Sequence, residues 1–282
     1  MLYQVIQPAP QLRAFVKEYL LLHFMFDKNK PFPIKPFPCR PQHTLCFYLR
    51  GGIIAANQQN DSLIKYPKIA INGSQLNRFD FYFFEPEYLL FSVDFQPGAL
   101  SKFLKIPMNE DFIDNRIDAE TILNPEIEPI YQQMLNAVSY ESIIQITETY
   151  LWKRIQSLKS DFQKFDQVSH IIAANPSIFS IEQLASDACL SISQFERRFT
   201  QQMGITPKLF ARINRYHQAF LLKDQNPNLD WLSIALQTGY NDYQHMVKDF
   251  KQFSGTTPNS LLQAQSQAPE RVLGITTTVF VG

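Results

Sequence analysis

The chain has 282 residues, carries 26 basic and 26 acidic side chains, and is 45% hydrophobic and 13% aromatic. That length suits two domains of about 100–200 residues each, and the apolar content is enough for real cores. Apolar runs stay short of the ~18 residues that mark a membrane helix, so no membrane partner is expected. The opening Met1-Leu2-Tyr3-Gln4-Val5 lacks a basic region followed by an apolar stretch, so a cytoplasmic location is expected.

The three cysteines, Cys39, Cys46 and Cys189, are too few for a disulfide framework. Cys39, His43 and Cys46 lie close together but offer only three metal ligands, fewer than a structural zinc site uses. No metal and no cofactor is therefore expected. His23, His43, His170, His217 and His245 are scattered and read as structural or surface residues. No nucleophile–base–acid set, HExxH spacing or phosphate-cradling glycine loop occurs, so the chain does not read as an enzyme.

In chain order, Pro8 and Pro10 precede an apolar-rich segment, residues 12–26, whose period fits a helix or an edge strand. Pro31, Pro33, Pro36, Pro38 and Pro41 forbid a regular helix or a central strand. They read as a stiff connection, with a polyproline ligand segment as the alternative. Residues 44–95 are β-like. Leu45–Leu49 runs up to Gly51-Gly52, and Ile69-Ala70-Ile71 ends in the turn signal Asn72-Gly73. Residues 79–84 and 88–95 flank Glu85-Pro86-Glu87, expected to be a hairpin turn. The many aromatics here either line a ligand pocket or fill a core, with core the default. Helical patterns follow at 99–104, 119–123, 127–138 and 140–158, with Pro125 and Pro129 as punctuation. Residues 1–160 thus read as an α+β domain, a mostly β core followed by helices, ending near residue 160. Residues 266–282 are a tail, either disordered or adding a strand.

The last third contains an internal repeat. Phe199-Thr200-Gln201-Gln202-Met203-Gly204-Ile205-Thr206-Pro207 is echoed by Phe250-Lys251-Gln252-Phe253-Ser254-Gly255-Thr256-Thr257-Pro258, an offset of 51 residues. Leu184-Ala185 matches Ile234-Ala235 at an offset of 50, so the second copy carries one extra residue in its turn. In each copy a short helix leads through a tight turn into a second helix. Ser180 and Ser191 are expected to cap the first pair, and Asn241 or Asp242 the last helix. Ile192, Phe195 and Phe199 form one buried stripe, and Met246, Phe250 and Phe253 the other. A helix, a tight turn and a second helix with a polar outer face is the arrangement that enters the major groove of DNA. The region 166–265 is charge-balanced, so placement of charge matters more than its sum.

The ordered set Leu184-Ala185, Leu190-Ser191, Phe195-Glu196-Arg197-Arg198-Phe199, Gly204-Ile205-Thr206-Pro207, Ile234-Ala235, Gly239-Tyr240, Asp242, Phe250-Lys251 and Gly255-Thr256-Thr257-Pro258 closely resembles the DNA-binding domain of AraC/XylS regulators. The resemblance implies an all-α domain over 166–265, with seven helices. Two helix-turn-helix units are joined by a long helix near 207–222, with helices 191–203 and 242–253 reading adjacent major-groove segments. The implied base-facing residues are Ser193, Glu196 and Arg197 in the first unit, and Tyr243, Gln244, His245, Val247 and Lys248 in the second. Arg198, Arg215 and Lys251 are assigned to the DNA backbone or to bracing. Met246 stands where many relatives have Phe, and Lys248 where Arg is usual. Lysine lacks the bidentate fork, so the first unit is expected to dominate specificity.

The N-terminal half resembles a sensor-like domain of the same family through residues 10–16, Phe95-Gln96-Pro97-Gly98-Ala99-Leu100, Ile106-Pro107-Met108 and Asp118-Ala119-Glu120. This implies a regulatory or oligomerisation role without a sugar-binding cupin. The expected function is sequence-specific transcription regulation. The partners are double-stranded DNA, with RNA polymerase, a small-molecule effector and a second copy of the chain as further candidates. The alternatives are a DNA-binding module attached to an enzymatic or metal-thiolate repair domain, and a purely architectural protein.

Overall fold

Long strands in the first hundred residues are apolar on both faces, which requires cover on both sides of the sheet they form. The computed structural model describes residues 1–60, 62–158, 171–172, 180–275 and 278–280. The strands are β1 (Leu2–Ile6), β2 (Val16–Met25), β3 (Lys35–Phe37), β4 (His43–Arg50), β5 (Ile53–Asn57), β6 (Leu63–Lys65), β7 (Ile69–Asn72), β8 (Phe79–Phe83), β9 (Glu87–Phe95), β10 (Arg116–Asp118) and β11 (Thr278–Phe280). A seven-stranded sheet has the order β10-β7-β4-β9-β2-β1-β11, and a four-stranded sheet the order β3-β8-β5-β6. Helices α1 (Ala99–Leu104), α2 (Glu120–Leu123), α3 (Ile127–Leu135) and α4 (Tyr140–Gln156) cover one face of the large sheet. Leu45, Phe47, Phe91, Val93 and Tyr19 point into that layer, with Phe103, Tyr131 and Leu151 opposite. Cys46, Tyr48, Tyr88, Leu90, Leu22 and Phe24, the alternating set, point instead toward Phe79, Phe81 and Phe83 of the small sheet.

Three local expectations change. Residues 12–26 form neither a helix nor an edge strand: β2 is interior, paired antiparallel with both β1 and β9. Its burial on two faces removes the period that would have identified it. Glu85-Pro86-Glu87 does not close a hairpin. β8 pairs with β3 and β5, whereas β9 pairs with β2 and β4, so the turn carries the chain from one sheet to the other. The proline-rich stretch contributes β3, an edge strand, where Pro36 breaks no central ladder. The expected domain end near residue 160, and His170, lie outside the described residues.

The C-terminal domain is built of α5 (Ile181–Asp187), α6 (Ile192–Met203), α7 (Pro207–Gln225), α8 (Trp231–Gln237), α9 (Tyr243–Ser254) and α10 (Pro258–Ser266), followed by α11 (Pro269–Val272). Each start is set by a side-chain cap: Ser180, Ser191, Thr206, Asp230, Asp242 and Thr257 each accept a bond from a backbone N–H three residues on. Ser191 and Gln194 form a full capping box. Phe195, Phe199, Ile213, Tyr216, Met246, Phe250 and Phe253 merge in one core along α7. The two tight turns differ. Gly239 takes φ 81°, which suits glycine, while its counterpart Cys189 takes φ 57° with a side chain attached. Asn241, between Tyr240 and the cap Asp242, is the extra residue of the second copy. Among the described residues no helix is long and apolar enough to cross a membrane.

One junction of the two domains lies at the end of α6, and a second at the end of α9, where Cys39 N donates to Phe253 O at 3.4 Å. An α-helix leaves its last carbonyls without internal donors. At α6, Met108 N donates to Gln201 O at 2.8 Å, and Ser74 Oγ donates to Met203 O at 2.7 Å. Gly98, at φ 79°, lies so close to Gln202 that an added Cβ would come within 2.7 Å of its amide oxygen. Since the Ser74 hydroxyl proton is used on Met203, His43 Nε2–H must donate to Ser74 Oγ, at 3.0 Å. His43 Nδ1 is buried without a partner. Burial lowers this imidazole's pKa from 6.5 to about 4.

Between pH 4 and 6.5 the unfolded chain therefore binds a proton that the folded chain refuses. The contribution of His43 is complete above pH 6.5 and is lost as the pH falls toward 4, by up to about 3 kcal/mol. Urea denaturation at pH 4.5 and 7.5 checks this: His43→Gln should lose less stability on acidification than the parent. Cys189→Gly should raise stability by about 0.5–1 kcal/mol, because it relieves a left-handed residue that carries a Cβ. A chemical denaturation midpoint that does not rise would contradict this.

Candidate nucleic-acid interface

α6 buries Phe195, Phe199 and Met203, which leaves Ser193, Glu196 and Arg197 exposed on one side. Arg198, one step round, is half-buried. On α9 the buried set is Met246, Asp249, Phe250 and Phe253, and Tyr243, Gln244, Lys248 and Lys251 are exposed. His245 and Val247 are half-buried, with His245 edge-on to Tyr240 at 5.5 Å between ring centres. All eight residues expected to face bases thus lie on α6 and α9, on their outer or flanking surfaces. Among the described residues no ion pair involves Arg197, Lys248 or Lys251.

The second unit is tied to the linking helix α7 by a buried carboxylate. Asp249 is 1% exposed. Its Oδ1 accepts from Arg212 at 2.6 Å, and its Oδ2 accepts from Tyr240 Oη at 3.1 Å and from Arg215 at 3.4 Å. The Arg215 guanidinium stacks over the Tyr240 ring at 4.2 Å, and Arg212 also donates to Gln252 Oε1 at 2.7 Å. A charge removed from water needs this kind of ionic and hydrogen-bonded cover. Asp249 is a residue the sequence reading missed as a structural centre. The available signal was its spacing: it lies three residues after Met246, on the buried stripe, opposite an Arg-x-x-Arg pair on α7. Its counterpart in the first unit is Arg198, so the two copies differ in charge at this position.

A cleft between the units is lined by Ser180, Glu182, Lys208, Arg212, Arg215, His245, Lys248 and Asp249, the last already paired with Arg212 and Arg215. Its basic residues outnumber its acids, although the domain as a whole is balanced. Lys208 and Arg212 were not singled out from sequence, since a charge count does not show which side chains converge.

A second concavity, about 80 Å³, lies between the two sheets of the N-terminal domain. Strand register grades its wall. On β9 the inward residues run Tyr88, Leu90, Ser92, Asp94, and on β4 they run Tyr48, Cys46, Thr44 alongside them. One end is therefore aromatic, completed by Tyr66, Phe81 and Phe83, and the other is polar, completed by Lys35, Arg40, Gln75 and Arg116. Ser92 Oγ donates to Asp94 at 2.8 Å, and burial, with Glu18 nearby, lifts the Asp94 carboxyl to a pKa of about 6. The aromatics serve as both core and cavity wall. Cys46 faces this cavity, whereas Cys39 sits in the core of the helical domain and donates to Gln75 O. The two thiols do not converge on one ion.

Residues 184–264 match a family profile described as a helix-turn-helix domain, and residues 4–118 match one described as a domain of unknown function. Over 87 residues the chain is 36% identical to an uncharacterized HTH-type transcriptional regulator of Haemophilus influenzae, covering 30% of this chain and 28% of that protein. Over 80 residues it is 30% identical to the HTH-type transcriptional regulator MtrA of Neisseria gonorrhoeae, covering 28% and 26% respectively. The matches thus span little more than a quarter of these relatives' length. The crystal structure of unsaturated fatty acid-bound ToxT from Vibrio cholerae aligns with 86% of this chain and 94% of its own, at 10% identity and a TM-score of 0.49.

Asp249→Asn keeps the shape of the node but removes its charge, leaving two guanidinium groups facing a neutral amide. With Arg212 partly solvated, the expected loss is about 2–3 kcal/mol. Lys248→Ala, on the exposed side of the same helix, should stay within about 0.5 kcal/mol of the parent. Guanidinium titrations of the two variants decide the matter, and equal stabilities would refute the bracing role.

Proposed function

From a C-terminal domain that belongs to the AraC/XylS type of helix-turn-helix domain, we infer that the protein is a sequence-specific DNA-binding transcription regulator. The observation that carries this reading is the pair of capped helices, α6 and α9, each with an exposed polar face and both fixed to α7 through one core. Such a pair suits two successive major-groove segments, with α7 crossing the backbone between them. Arg197 is assigned to guanine O6/N7, Gln244 to adenine and Glu196 to cytosine N4. Ser193, Tyr243, His245, Val247 and Lys248 complete the contact set. Lys251, Lys208 and Lys248 provide cationic cover for phosphates flanking the grooves. Arg215 belongs to the brace on Asp249, and Arg198 to the flank of α6.

The N-terminal domain is assigned a regulatory role, with the inter-sheet cavity as the seat of a small-molecule effector. RNA polymerase and a second copy of the chain are the protein partners this reading calls for, and the cytoplasm its setting. It includes no catalytic step.

Selection of bound sites from random DNA should return a bipartite motif with centres about 10 base pairs apart. On the selected site Arg197→Ala should cost about 1–3 kcal/mol, with little change on scrambled DNA. Equal losses on both, measured by fluorescence anisotropy at one salt concentration, would rule out base reading by Arg197.

A further inference from the structure

The C-terminal segment returns to the N-terminal domain at three places. Gln265 Nε2 donates to Pro36 O at 2.9 Å. Glu270, on α11, pairs with Lys35, and the two side chains are only 14% and 7% exposed. β11 then lies parallel to β1, with Thr278, Val279 and Phe280 opposite Gln4, Val5 and Ile6. Between these contacts Arg271 grips Asp224, near the end of α7, at 2.6 and 2.7 Å. The segment therefore ties the helix that joins the two DNA-reading units to the edge of the large sheet.

Its central anchor is also part of the cavity. Lys35 lines the polar end together with Arg40 and Arg116, against one lining acid, Asp94. Arg116 is satisfied by neutral partners, Tyr66 and Gln75. Arg40 Nε, Asn72 Oδ1 and Glu270 Oε2 are buried without hydrogen-bond partners. Burial works against both charges of the Lys35–Glu270 pair: it lowers the Lys35 pKa despite Glu270, while for Glu270 the Lys35 ammonium outweighs burial and holds the carboxyl below its usual value. The cation-rich end thus takes a negative charge from the C-terminal segment and keeps one donor, Arg40 Nε, unused.

We propose that this segment is a latch, with Glu270 acting as a built-in anion for the polar end of the cavity, and that a small organic carboxylate entering the cavity competes for Lys35 and releases the latch. The proposal rests on reading the cavity as an effector site. The aromatic end suits the apolar body of such a ligand, and the polar end its carboxylate. Because the coupling is reciprocal, removing the Glu270 charge must strengthen carboxylate binding by the factor with which the ligand weakens the latch.

Backbone hydrogen exchange of the full chain, read at residues 270–272 and 278–280, tests this with benzoate as the probe and benzyl alcohol as the uncharged control. Glu270→Gln should speed exchange there about tenfold without ligand and bind benzoate about tenfold more tightly, as followed by calorimetry. Benzoate should speed the same amides in the parent and add nothing in Glu270→Gln, and benzyl alcohol should do neither. Lys35→Met should also release the segment but bind benzoate more weakly than the parent. Parent-like exchange in Glu270→Gln would overturn the latch whatever the ligand does. Benzoate bound equally by parent and Glu270→Gln, with exchange unchanged, would overturn the competition and leave the effector-site reading standing. Benzoate bound by neither would overturn the competition and the assignment of the cavity to carboxylates together.

Discussion

The C-terminal turn of α6 cannot satisfy its own carbonyls, and the N-terminal domain supplies the missing donors. Met108 N and Ser74 Oγ reach Gln201 and Met203, and Gly98 brings the backbone ahead of α1 against Gln202. A helix end is a rigid handle: moving it by a fraction of an ångström moves every residue on the helix. The two domains are therefore joined through the element whose opposite end carries Ser193, Glu196 and Arg197. His43 tunes this junction, because its neutral form donates to Ser74 and its Nδ1 has no acceptor for a second proton.

The second unit is tied down differently. Asp249 draws Arg212 and Arg215 of α7 onto α9, and Tyr240 closes the node from the turn before it. Both readers also touch the N-terminal domain: α6 takes donors from Met108 and Ser74, and α9 takes one from Cys39, whose N–H reaches Phe253 O at 3.4 Å. The copies that look equivalent in sequence are held differently: α6 ends on two N-terminal donors, whereas α9 has one and the Asp249 brace.

What could be read from the sequence was what is local. Ser180, Ser191 and Asp242 announce helix starts, because a cap is a bond between residues three apart. The Phe and Met stripes announce buried faces because they follow the helical period. β2 escaped, since a strand covered on two faces shows a run instead of an alternation. Glu85-Pro86-Glu87 misled, because a turn signal says that the chain reverses and not which strands it then joins. Asp249 was counted as one acid among many, and its role needs Arg212, 37 residues away in sequence. A strand in residues 266–282 is one of the two sequence expectations, but its return to β1 is a long-range pairing with no local sign.

That return also decides what the large sheet presents to its surroundings. β1 would otherwise be an outer strand with a free row of N–H and C=O groups, the kind of border on which another chain can add a strand. β11 covers part of that row by pairing with residues 4–6. Whatever lifts β11 away returns those N–H and C=O groups to the open, so the hold on β11 also sets how much of this border the sheet exposes.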